Sequence, residues 1–129
     1  MKTMTDPIRN PVPARSASSV DARALDKLLD IGGADLRAAL CVQLTEDFSR
    51  LSAALDDDCT QTVANASHEL KGLAATVGAE RLTDMVSTFD GGVQTLPREA
   101  RKVMVGAVQR EIGAVLDLLA GARQGPKRA

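Results

Sequence analysis

Leu36, Leu40, Leu44, Phe48, Leu51 and Leu55 recur at steps of three or four residues. That spacing predicts a helix from about Ala34 to Leu55 with one buried stripe. Arg37, Gln43, Glu46, Asp47 and Arg50 fall on its outer side. Before it, Leu25, Leu28 and Leu29 predict a short helix that begins at Asp21 as N-cap, with Val20 and Leu25 in the positions of a hydrophobic staple. Gly32-Gly33 stops this first helix. After the long helix, Asp56 to Asp58 supply a turn and the N-cap of a third helix, Cys59 to Val77. Val63, Leu70 and Val77 repeat there every seven residues, with Ala66 and Leu73 beside them. Gly78 stands where a terminating C′ glycine belongs. A fourth helix, Ala79 to Asp90, buries Leu82, Met85, Val86 and Phe89 and ends at Gly91-Gly92. A fifth opens at Pro97 and Glu99, buries Met104, Val108, Ile112, Val115 and Leu119, and closes at Gly121.

Four long amphipathic helices joined by short connections bury their stripes against one another. The fold class expected is therefore all-α: an antiparallel up-down four-helix bundle with a short additional N-terminal helix over one end. No apolar period runs through residues 1–19, which hold Pro7, Pro11, Pro13 and three serines near Ser18. They read as a disordered lead-in, residues 20–122 as the bundle, and 123–129 as a disordered tail. No repeat is found, and the chain reads as a stand-alone module.

Composition narrows the function classes. Among 129 residues the formal net charge is −1, so the basic excess of a nucleic-acid binder is missing. There is no Trp and no Tyr, and Phe48 and Phe89 are the two phenylalanines. Stacking of bases on aromatic platforms is excluded, and a β-sandwich core is disfavoured. No stretch is long and apolar enough for a signal peptide or a bilayer span, so a cytoplasmic protein is expected, with no membrane partner. Two cysteines, Cys41 and Cys59, build no disulfide framework and match no zinc spacing. They are expected to be buried or half-buried reduced thiols.

The chemistry gathers at one place. His68 is the single histidine. It lies about 160° around the helix axis from Leu70, at ~100° per residue, and so faces away from the core side. Ala64, Lys71, Gly72 and Ala75 share its stripe at i−4, i+3, i+4 and i+7, with Asn65 as a polar rim. The centre of the stripe is an imidazole and an ammonium, and its borders carry almost no side-chain bulk. Gly72 costs a helix interior about 0.5–1 kcal/mol relative to alanine. What it offers in return is access for another molecule beside the ring. Lys71, one turn on, is placed to neutralise negative charge arriving there.

His68-Glu69-Leu70-Lys71-Gly72, with Ala66-Ser67 before it and Gly78-Ala79 after it, resembles the histidine-phosphotransfer (HPt) domain family. Phe48 on the preceding helix, the Asp56–Asp58 turn and Leu82 on the next helix extend the likeness over roughly residues 20–120. The resemblance implies a two-component phosphorelay. His68 would accept a phosphoryl group from a response-regulator receiver aspartate and pass it to another. Lys71 would be its charge partner, and Gly72, Ala64, Asn65 and Ala75 the docking surface. It implies a phosphoryl carrier and not an enzyme, with no cofactor, no metal and no ATP site of its own; the receiver brings Mg²⁺. Expected partners are receiver domains and a hybrid histidine kinase, for a protein that is itself a monomer. In one respect the chain departs from the family: Asp90 stands where many members carry a glutamine that bonds the phosphoryl oxygens, and the sequence assigns it no role.

Other readings fit less well. Cys59 and His68 lie nine residues apart, on opposite sides of one helix, which argues against a metal site. Ser67 and His68 diverge by ~100° and form no hydrolytic dyad. The serious alternative is a helical adaptor that binds receiver or kinase domains without phosphorylation of His68.

Overall fold

A computed structural model describes residues 22–123 of the chain. The expectations for residues 1–19 and 124–129, and for the Val20–Asp21 start of the first helix, lie outside the described residues. Those described form five helices and no strand: α1 (Ala22–Leu29), α2 (Ala34–Ala54), α3 (Thr60–Thr76), α4 (Glu80–Gly92) and α5 (Arg98–Ala122). α2 packs on α3 and α5, α3 on α4, and α4 on α5, while α1 lies against α2. The core where they meet includes Phe48, Leu51, Leu70, Leu82, Phe89, Ile112 and Leu119, all essentially without solvent exposure.

The turn that follows α3 shows how closely the sequence dictates the backbone. Gly78 has φ of +78°, the left-handed conformation that glycine adopts without steric cost. The Gly78 N–H donates to the Ala75 carbonyl at 3.2 Å and the Ala79 N–H to the Ala74 carbonyl at 2.9 Å. Ala74 and Ala79 are both fully buried. This is a Schellman closure, and the helix that follows it, α4, packs on α3. The α1–α2 connection needs glycine for another reason. A Cβ on Gly32 would run into the Leu36 side chain, its own Cβ only 2.9 Å away.

Four local features differ from the sequence reading. In the first turn of α2 the buried position is Arg37, not Leu36, and Cys41 continues the stripe to Leu44, Phe48 and Leu51. Leu36 is exposed and Leu40 only partly buried. The N-cap of α3 is Cys59, without a side-chain cap; Asp57 Oδ1 instead accepts the Cys59 N–H at 2.8 Å, as an aspartate turn does. Gly91 and Gly92 do not end α4 at Asp90; they are its last turn, and Val93, buried, caps it. On α5 Val105 is buried ahead of Val108, with Met104 packed at the margin, and the helix runs past Gly121 to Ala122.

Candidate functional site

α3 turns Val63, Ala66, Ser67, Leu70 and Ala74 inward. The next position round the helix from Ser67 is His68, whose side chain is 79% exposed. Lys71 is half-buried; Asn65, Gly72 and Ala75 are exposed. Ala64 is half-buried and packs against the core margin, so it belongs to the edge of the stripe. Gln61 Nε2 donates to Asn65 Oδ1 at 2.9 Å, which steadies the polar rim. A Cβ built on Gly72 meets nothing within 4 Å, so the space next to the imidazole is open.

Two residues that the sequence reading left aside join this face. Ser67 is fully buried, and its Oγ lies 2.8 Å from Asp90 Oδ1 and 3.0 Å from the Ala64 carbonyl. With one proton to give, the hydroxyl favours the carboxylate, the stronger acceptor. The other carboxylate oxygen, Asp90 Oδ2, lies 3.6 Å from Lys71 Nζ and 3.9 Å from His68 Nδ1. Asp90 therefore points at the imidazole from α4 and brings Ser67, His68 and Lys71 together around one carboxylate. A signal for this was present: Ser67 falls on the inward face of α3, and a buried hydroxyl needs a partner.

On the other flank, Arg50 of α2 donates from Nη2 to Glu69 Oε2 at 2.7 Å and lies 3.6 Å from Asp47 Oδ1. The guanidinium holds the Glu69 carboxyl below its ordinary range, mainly through that hydrogen bond, and the Arg50 pKa rises in turn. His68 is thus bordered by two charged pairs, each anchoring α3 to a neighbouring helix. Both pairs are solvated, and their value lies in orientation more than in stability.

No group of three or more His, Cys, Asp or Glu that could hold a metal ion occurs among the described residues. The cysteines are separate from the His68 face and from each other in character. Cys41 is buried, and burial raises its thiol pKa against the partial opposition of Arg37 and Arg123. Cys59 is exposed, contrary to the expected burial, because it caps α3 from outside the bundle. The Thr62 backbone N–H, then the Thr62 side chain and the Gln61 N–H, hold its thiol below the ordinary value. At pH 7.5 one equivalent of a thiol reagent is expected to react promptly at Cys59, and Cys41 only after denaturation. Peptide mapping of the labelled protein checks this; labelling of both at one rate contradicts it.

No helix among the described residues is long and apolar enough to cross a membrane. The family model of the Hpt domain matches residues 35–124, which span α2 to the end of α5 and include the whole His68 face. No curated protein and no solved structure matches the chain significantly. Hpt domains are phosphocarrier modules that work with the receiver and kinase proteins of two-component signalling. With most of the chain matched, and an all-helical fold carrying the motif's histidine outward, the chain belongs to the Hpt domain family.

Proposed function

We propose that this chain is a phosphorelay intermediate in which His68 takes a phosphoryl group from a receiver-domain aspartate and delivers it to another. The observation that carries the reading is an imidazole 79% exposed on a helix face bare of bulk, with the Lys71 ammonium one turn away. A neutral imidazole is a competent nucleophile, and phosphoryl exchange asks chiefly for alignment and charge stabilisation. Lys71 supplies a cation for the phosphoryl oxygens; the rest of the charge stabilisation comes from the receiver's own site. Gly72, Ala75, Asn65 and the edge residue Ala64 form the docking surface. Past Ala75 it continues into a shallow groove bordered by Gly78, Glu80, Thr83 and Asp84.

In this reading residues 20–122 are the working unit, an antiparallel up-down four-helix bundle, flanked by the lead-in 1–19 and the tail 123–129. The protein works as a cytoplasmic monomer. Its partners are receiver domains and a hybrid histidine kinase, and contact is brief, through an interface at the small end of the usual range.

The test is incubation with a receiver labelled on its aspartyl phosphate. The expected result is an acid-labile, base-stable label on this chain. Binding without label favours the non-transferring adaptor, and neither binding nor label across a panel of receivers overturns the reading.

Gly72 offers a separate check. Because its Cβ position is open, Gly72→Ala is expected to stabilise the fold by about 0.5–1 kcal/mol. Gly72→Leu is expected to stay folded yet slow transfer by about tenfold or more, since the reacting atoms are held apart. Urea unfolding and initial transfer rates measure the two effects. Transfer by the leucine variant at the wild-type rate removes the access argument.

A further inference from the structure

We infer that Asp90 is a positioning residue for His68: it holds the imidazole by Nδ1–H, so that Nε2 is the attacking atom, and faces the positive charge that the ring acquires. The inference rests on the proposed transfer at His68 and adds what orients the ring: a carboxylate at a place where it cannot bond the phosphoryl group.

Three distances define the device. Ser67 Oγ, fully buried, donates to Asp90 Oδ1 at 2.8 Å, which fixes the carboxylate plane from behind. Asp90 Oδ2 is thereby aimed outward, 3.6 Å from Lys71 Nζ and 3.9 Å from His68 Nδ1. The last is too long for a hydrogen bond, but the ring is exposed and no packing prevents it from closing on the carboxylate. A carboxylate accepts and cannot donate, so a ring nitrogen that faces it carries the proton. With Nδ1 protonated, the lone pair is on Nε2, the nitrogen on the far side of the ring from Asp90.

The chemistry then follows. The Nε2 lone pair attacks phosphorus of the receiver's aspartyl phosphate. An N–P bond forms as the acyl O–P bond breaks, and that electron pair leaves with the receiver's carboxylate. The ring has lost no proton, so it becomes an imidazolium carrying Nδ1–H, with Asp90 opposite the new charge. This is the part that a carboxylate behind a histidine plays in hydrolase triads: it orients the ring and stabilises imidazolium without taking the proton. When the phosphoryl group departs, the same ion pair favours the cationic ring from which it leaves. Asp90 Oδ2 also faces the Lys71 ammonium at 3.6 Å, so one carboxylate serves both neighbours. A glutamine at this place could hydrogen-bond a phosphoryl oxygen; a carboxylate cannot, and here it serves the ring.

Asp90→Asn separates the two roles that Asp90 could have. The amide oxygen can keep the Ser67 hydrogen bond, while the NH₂ group turns toward His68 and donates to Nδ1, favouring the opposite tautomer. Nitrogen-15 NMR of the full chain, with one histidine to observe, reads the tautomer directly and needs no phosphoryl donor. The expected result is Nδ1–H in the wild type and a shift toward Nε2–H in Asp90→Asn. Transfer to and from a receiver should slow about tenfold, less than for a buried triad carboxylate because this site is solvated. Asp90→Glu should retain the wild-type tautomer and most of the rate. An unchanged tautomer in Asp90→Asn overturns the inference, whatever the rate does, since a rate loss alone reports only disturbed packing. A wild type that takes no label would defeat the relay reading, while the spectra would still decide which nitrogen Asp90 holds.

Discussion

His68→Ala is expected to lose the phosphoryl label entirely while unfolding at the same urea concentration as the wild type. Both halves come from the same geometry. The side chain is 79% exposed and lies 3.9 Å from Asp90 Oδ2, too far for a hydrogen bond, so truncation opens no cavity and strands no buried group. Surface changes of this kind alter stability by about 0.5 kcal/mol or less. The chain has one histidine, so a phosphohistidine has a single possible address. Scintillation counting of the variant after exposure to a labelled receiver, beside circular dichroism and a urea titration, checks both halves at once. Label that persists would place the phosphoryl group elsewhere and end the relay reading. A large loss of stability would mean that the ring is a packing element.

The exposure of that ring was legible because α3 has an unambiguous inward face. Val63, Leu70 and Val77 leave only one direction for core contacts, and a residue 160° away at ~100° per residue must look outward. The end of α3 was equally legible, since Gly78 is required at φ of +78° and its neighbours Ala74 and Ala79 are small enough to bury. Asp90 was not. Its role depends on how α4 is rotated against α3, and Gly91-Gly92 predict a helix end right after it, whereas the helix includes both glycines and holds Asp90 in a full turn. Tertiary packing, with Val93 buried beyond them, outweighs the low helix propensity of the glycines.

The first turn of α2 departs from its hydrophobic pattern for a related reason. The stripe Leu44, Phe48, Leu51 can be extended backward either to Leu40 and Leu36 or to Cys41 and Arg37. Hydrophobicity alone selects the leucines. The structure selects Arg37 because the Ala122 carbonyl at the end of α5 arrives at that spot, and a guanidinium can donate to it while a leucine cannot. Which residue is buried was decided by the hydrogen-bonding need of a helix end distant in sequence, and no local pattern carries that information.

Arg37→Ala is accordingly expected to destabilise the fold by about 2–4 kcal/mol, the largest loss from any polar residue described here. The side chain is only 9% exposed. Its Nε donates to the Ala122 carbonyl at 2.8 Å and its Nη1 to Asp30 Oδ1 at 2.8 Å, while Nη2 lies 3.7 Å from Asp26 Oδ1. One residue thus ties α1 and its following turn to α2 and to the C-terminus of α5, where a cation is also favoured by the helix dipole. Truncation removes the packed methylene stem and leaves a carbonyl without its donor. The two aspartates add less, because both are well exposed and return to water at little cost. Arg37→Met separates the parts: it restores most of the stem and should recover about half of the loss. Raising the salt concentration should weaken the aspartate legs in the wild type and leave the Nε–carbonyl bond in place, so α1 amides should exchange faster while α5 stays protected. Urea titrations of both variants and hydrogen exchange at two ionic strengths measure these effects. An alanine variant as stable as the wild type would show that the Ala122 carbonyl finds another donor, and that Arg37 is buried for reasons of space alone.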